Sequence, residues 1–304
     1  MRDTMRQRFI AAAGDLLEAD DRVVVVLAVI SHGLFADAGL TERFGDRIID
    51  VGIREQLQVG VAGGLALEGF TPIITGYAPF LVERAFEQLK LSVTHQGVRA
   101  IAVSIGASWD ASGEGRTHQA PEDVALMATL PGWDVHVPGH PDELELLLRH
   151  AHRSDRSAYI RSSTEANAQA HLTTPGRIVT LRRGSAAAPT VLAVGPTADA
   201  TLEAVADLDA TVLYTATVVP FDERGLRARV VGDELILIEP YLSGTSTGRV
   251  ARILSDRTMR IRSHGVEDPE MRRYGTPADH RRLHRLDRAG IREFVLGEGA
   301  TVGV

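Results

Sequence analysis

Cysteine is absent from the 304 residues. That removes disulfide frameworks, thiolate catalysis and thiolate-ligated metals. Lysine occurs once, as Lys90 in "QLKLS". A Schiff-base lysine or a phosphate-loop lysine would have to be this residue, and its context fits neither. Positive charge is not in excess: the formal net charge is −7, without the basic footprint that nucleic-acid binding leaves. No apolar run reaches the ~20 residues that span a bilayer. The longest, "VVVVLAVI" (Val23 to Ile30), has the length of a buried strand. The opening "MRDTMRQRF" runs into an amphipathic helix and not into a secretory apolar segment. No G-x-G-x-x-G follows a strand, which leaves a dinucleotide site without support. These absences lead us to expect a soluble, cytoplasmic protein with no nucleic-acid or membrane partner.

Hydrophobic residues make up 44% of the chain, enough for two domains at this length. Strand and helix signals alternate. Strands are expected at Val23 to Ile30, Asp46 to Val51, Thr71 to Tyr77 and Val98 to Gly106, and again within "WDVHVPG" and "SAYIRSS". Helices are expected at Arg6 to Glu18, Arg54 to Leu67, Phe80 to His95, Pro121 to Leu130 and "HPDELELLLRHAH". Strands separated by helices predict an α/β protein with a parallel sheet covered on both faces. After Ser163 the alternation lapses into a stretch rich in Ala, Thr, Gly and Ser. It resumes with "TVLAVG", "DATVLYTA" and "ELILIEP". The expected division is a first domain at 1–170 and a smaller one at 177–304.

Open parallel sheets bind ligands at the carboxyl ends of their strands. Four strand ends there carry chemistry: Glu55 in "GIREQ", Tyr77 and Phe80 in "TGYAPF", Glu114 and His118 in "SGEGRTHQ", and Arg161 in "RSS". Taken singly, each has a plain reading. Glu55 suits the first turn of a helix by charge alone. Tyr77, Phe80 and Phe86 suit a core, and Arg161 could pair with any carboxylate. His280 and His284 in "DHRRLH" have the i, i+4 spacing of metal ligands, but lack the H-E-x-x-H carboxylate and sit among Arg. A solvated helix face, and no metal site, is expected there.

Together the segments "DVGIREQLQVGVAGGLALEGFTPII" and "GEGRTHQAPEDVALMATLPGWDVHVPG" resemble the C-terminal half of transketolases. The 1-deoxyxylulose-5-phosphate synthases and the β subunits of 2-oxoacid dehydrogenases share that fold, but the "THQ" loop is typical of the first two. The resemblance implies a pyrimidine-binding domain followed by a transketolase C-terminal domain, with thiamine diphosphate as cofactor. It gives Glu55 the contact to N1′ of the aminopyrimidine and Tyr77, Phe80 and Phe86 the aromatic wall. It makes His118 the group facing the substrate's reacting oxygen, Glu114 a substrate-hydroxyl ligand and Arg161 a substrate-phosphate ligand. Here "SIGASWDAS" and "VISHGLF" depart from the family's usual phosphate-binding and acidic segments, and Glu114 replaces the usual Asp. The family's G-D-G and paired Asn, which hold the diphosphate and Mg2+, are missing from the sequence. The resemblance therefore implies a split enzyme. This chain would pair with an N-terminal diphosphate-binding subunit, in an α2β2 assembly, and self-associate through its pyrimidine-binding domain. The implied activity is transfer of a two-carbon ketol unit from a ketose to an aldehyde. The alternatives are a 2-oxoacid dehydrogenase or decarboxylase β subunit, a synthase-like enzyme, and a non-catalytic scaffold subunit.

Overall fold

The computed structural model describes residues 3–270 and 272–297. Among them, strands β1 (Val23–Leu27), β2 (Ile48–Asp50), β3 (Thr71–Tyr77), β4 (Ile101–Ile105), β5 (Trp133–His136) and β6 (Ser157–Arg161) come first along the chain. They are followed by β7 (Val179–Arg182), β8 (Thr190–Val194), β9 (Thr211–Thr215), β10 (Thr217–Val219), β11 (Glu234–Leu242) and β12 (Arg260–Val266). They form two sheets, ordered β10-β5-β6-β4-β3-β1-β2 and β12-β11-β8-β9-β7.

Strands β1 to β6 are mutually parallel. Because side chains alternate between the faces of a strand, each face collects its own core. Val26, Ile74, Ala102 and Tyr159 pack with Val59 and Ala62 of the helix Glu55–Leu67. Val25, Ile73, Val103 and Ile160 pack with Phe9 and Leu17 of the helix Met5–Ala19 and with Leu144 and Leu148 of the helix Pro141–Arg153. Burial on both faces explains why β1 reads as an unbroken Val run. Strand β10 lies after β9 in the chain yet pairs antiparallel with β5, Thr217 opposite His136. It ties the second part of the chain to the first sheet. No helix among the described residues is long and apolar enough to cross a membrane.

The elements depart from expectation at three places. The helix expected at Phe80 to His95 is instead two π-helical segments, Pro79–Arg84 and Leu89–Thr94, around the short α-helix Phe86–Gln88. Such widened turns reset which side chains share a face. The segment Asp46 to Val51 forms only the short strand Ile48–Asp50, and β12 is a strand that the sequence pattern does not predict.

Candidate active site

The carboxyl ends of β6, β4, β3 and β1 lie side by side in the first sheet. Tyr77 ends β3 and packs against Gly106, just beyond β4. Gly106 has φ +71°, and a Cβ there would lie 2.4 Å from Tyr77 Cδ1. Only glycine allows both the backbone conformation and the close ring. Tyr77, Phe80 and His118 then meet edge to face. Ring centroids are 6.1 Å apart for Tyr77–Phe80, 5.3 Å for Tyr77–His118 and 4.9 Å for Phe80–His118. His118 Nδ1 lies 2.9 Å from Thr117 Oγ1.

Glu55 opens the helix Glu55–Leu67 and is 2% exposed. Its Oε2 accepts a hydrogen bond from Arg84 Nη1 at 2.8 Å. The Arg84 guanidinium sits 4.2 Å over the Phe80 ring. The π turn Pro79–Arg84 thus presents Phe80 and Arg84 together, and they link the buried carboxylate to the ring cluster containing His118. Glu83, on the same turn, is influenced by Glu122, Arg116 and Asp123. Burial, and next the neighbouring Glu122, push its carboxyl up to about 7.

The loop between β4 and the helix Asp123–Met127 carries Glu114, exposed, and His118, half-buried. Its neck is closed where Ala120 N donates to Ser108 O at 3.1 Å. Segment 273–275 braces its flank. Ser112 Oγ donates to Gly275 O at 2.8 Å and Gln119 Nε2 to Arg273 O at 3.3 Å. A cavity of about 380 Å³ opens beside the loop, lined in part by Arg6, Tyr77, Gly113, Glu114, Ser162 and Thr164.

Of the residues expected from the sequence, Glu55, Tyr77, Phe80 and His118 come together, and Glu114 shares the cavity with Tyr77. Phe86 does not join them; it packs against the hydrophobic core. Arg161, expected to contact the substrate, does not join them either. Arg161 is 2% exposed, its Nε donates to both Asp123 oxygens at 3.0 and 2.8 Å, and its Nη2 donates to Ser108 Oγ at 2.5 Å. The guanidinium faces the interior and is already engaged. The solvated helix face expected for His280 and His284 is also overturned. His280 is 1% exposed. His284 stacks on Trp109 with centroids 5.4 Å apart, and burial, then His280, lower its pKa to about 4. Among the described residues no group of three or more His, Asp or Glu is arranged to hold a metal ion.

Sequence reasoning missed three features. Arg84 stands four residues after Phe80 in "FLVER", a spacing that could have flagged it. Arg6 lines the cavity from the N-terminal helix. Its Nη2 donates to Ser31 Oγ at 3.2 Å, while its buried Nε meets no acceptor among the described residues. The β1 end is strained: Val29 and Ser31 have φ of 69° and 71°, costly for non-glycine residues and typical of functional loops. Asp50 holds this turn. It accepts from Val29 N at 3.1 Å and lies 2.9 Å from His32 Nδ1. No sequence signal marks such strain.

Residues 3–168 match the family described as "Transketolase, pyrimidine binding domain". The chain is 44% identical to an "Uncharacterized 33.6 kDa protein in fasciation locus" of Rhodococcoides fascians, over 89% of this chain and 87% of that protein. It is 31% identical to a 1-deoxy-D-xylulose-5-phosphate synthase of Thioalkalivibrio sulfidiphilus, over 79% of this chain but only 38% of the synthase. It is 27% identical to one subunit of an apulose-4-phosphate transketolase of Actinobacillus succinogenes, over 96% of each chain. In fold it resembles a solved "Split gene transketolase, inactive beta4 tetramer", with TM-score 0.84 and 24% identity, covering 97% of each chain.

Proposed function

The chain belongs to the family of the transketolase pyrimidine-binding domain, and from that premise we propose that it is one subunit of a two-component, thiamine diphosphate-dependent transketolase. The reading rests on one arrangement: a buried carboxylate, Glu55, joined through Arg84 to an aromatic face, Phe80, which the His118 ring meets at 4.9 Å. An aromatic face beside a buried carboxylate fits the pyrimidine half of the cofactor. The diphosphate half and Mg2+ are assigned to a partner chain, because G-D-G and paired Asn are missing from this sequence. The proposed division is a pyrimidine-binding unit at 1–170 and a C-terminal unit at 177–304, in a soluble, cytoplasmic enzyme.

Thiamine diphosphate supplies the carbon nucleophile when bound. Glu55 would hold and exchange a proton at N1′, shielded from water by its burial. Tyr77 and Phe80 would fix the plane of the ring. His118, at the inner edge of the loop, would donate to the substrate's reacting oxygen as negative charge grows there. Glu114 would bind a hydroxyl from the cavity wall. Arg6, whose Nε meets no acceptor among the described residues, would take over the anion-binding role first expected of Arg161.

A ketose donor and an aldehyde acceptor are the substrates this reading assigns. Synthase-like chemistry is the second reading, favoured by the 31% identity to a synthase. Co-expression with a diphosphate-binding partner, followed by assays on ketoses, aldehydes and 2-oxoacids, separates the two. Glu55→Gln in that complex should lower kcat by ~10²–10⁴-fold, the usual worth of general acid–base help, with an unchanged circular dichroism spectrum. Activity within a few-fold of the unaltered complex would remove Glu55 from the mechanism.

A further inference from the structure

We propose that Arg161 is a positioning residue that clamps both ends of the loop carrying Glu114 and His118, and so sets where His118 stands. The inference deepens the reading above and rests on it for the role of His118. Its own geometry stands apart. Arg161 ends β6. Its Nη2 holds Ser108 Oγ at 2.5 Å, at the start of the loop. Its Nε holds both oxygens of Asp123 at 3.0 and 2.8 Å, just beyond the loop's end. One buried, planar guanidinium therefore spans the loop's two roots.

Each root is itself fixed. Ser108 has φ +44°, a conformation that costs a non-glycine residue free energy and persists only when neighbours impose it. Its hydroxyl donates to Pro240 O at 2.6 Å, on β11 of the second sheet. At the other root, Asp123 also accepts from Tyr159 OH at 2.6 Å, and Tyr159 lies 2.8 Å from Ser104 Oγ on β4. The Ala120–Ser108 hydrogen bond joins the roots directly. The chain of contacts runs from β4 and β6 through Arg161 to the loop neck and on to the second sheet. Lysine could not reproduce it, because a single ammonium lacks the fork that serves two acceptors on different sides.

A clamp of this kind changes the height of the reaction barrier more than substrate affinity. Displacing a reacting group by about 1 Å can cost on the order of 10²-fold in rate. The test uses Arg161→Lys and Ser108→Ala. The second leaves the Arg161–Asp123 pair intact and is the safeguard if the first misfolds. In the whole chain without its partner, amide hydrogen exchange across 108–120 should quicken in both variants, and the His118 imidazole signals in NMR should shift. Exchange elsewhere in the first sheet should stay as it was. In the complex, kcat should fall by about 10–100-fold with KM within about two-fold, and the double variant should be no worse than Arg161→Lys alone. Unchanged loop exchange and unchanged His118 signals in a folded Ser108→Ala variant would overturn the clamp, whatever the reaction proves to be. So would a raised KM at constant kcat in Arg161→Lys, which is the behaviour of a substrate ligand. Altered loop exchange in a complex with no transketolase activity would uphold the clamp and remove the functional reading instead.

Discussion

At the scale of single residues, Arg6 and His118 are assigned different tasks, and kinetics can separate them. In the proposed reading, Arg6 would offer a fixed positive charge to a substrate before and during reaction, so its contact would be uniform. In the same proposed reading, His118 would meet charge that develops only as the reacting oxygen takes it up. Arg6→Ala should therefore mainly raise KM and His118→Ala mainly lower kcat. For a phosphorylated or carboxylated substrate, losing one charge-assisted contact costs about 1.5–3 kcal/mol, or roughly 10–100-fold in KM. A KM left unchanged in Arg6→Ala by such a substrate would remove Arg6 from the site. Glu83 makes a second residue-scale prediction. Its carboxyl is held up at about 7, from an ordinary 4.5, first by burial and then by Glu122. Between those two pH values the folded chain keeps a proton that the unfolded chain has lost. Stability should then fall as pH rises from about 4.5 to 7 and level off above. Glu83→Gln should flatten that slope in urea melts taken across the window. An identical slope in the variant would assign the pH dependence to another group.

At the scale of elements, the helix Glu55–Leu67 shows how far sequence carries and where it stops. Its apolar pattern and position are legible, as are the buried β1 and the strand ends that carry Glu55, Tyr77 and His118. What the Gly-rich stretch does is only partly legible. Gly63 is buried, and a Cβ on it would come within 2.3 Å of Ser92 O, a backbone atom on the π-helical segment Leu89–Thr94. Gly63 thus serves a close contact inside the chain and not one between chains. Gly63→Ala should lower stability by about 1–3 kcal/mol, the usual cost of overpacking, seen as a lower urea midpoint. A midpoint at or above that of the unaltered chain would mean the two segments separate freely. The π segments themselves lie beyond sequence reading, because an apolar repeat of 3–4 residues does not reveal a locally widened turn. Arg161 defeats sequence reading for a related reason. A residue at a strand end can turn to the rim or to the interior, and only its partner decides. The alternation of β6 does hold a clue, since Tyr159 shares a face with Arg161 and both reach Asp123.

At the scale of the whole molecule, the open question is what covers the outer face of that same helix. Leu57, Gly60, Gly64 and Leu67 follow one another at spacings of three and four, a single stripe along an α-helix. It lies away from the inward Val59, Ala62 and Gly63. Leu57 is 47% and Leu67 59% exposed, and Ile53, just before the helix, is 72% exposed. An added Cβ on Gly60 or Gly64 meets nothing of the described chain within 4 Å. Large apolar side chains flanking two glycines leave room for a close-packed neighbour, whereas scattered exposed leucines would not. A second copy of this chain is the occupant we expect, because an association about a two-fold axis places the same stripe on both sides. Light scattering of the isolated chain at micromolar concentration should give a dimer or a larger assembly. Leu57→Glu places a charge at the N-terminal end of the stripe, on an exposed position outside the core. It should shift the mass to the monomer while leaving the far-ultraviolet circular dichroism intact. A monomeric mass for the unaltered chain, both alone and with a diphosphate-binding partner, would rule out the shared stripe. An assembly that survives Leu57→Glu unchanged would place the contact elsewhere on the surface.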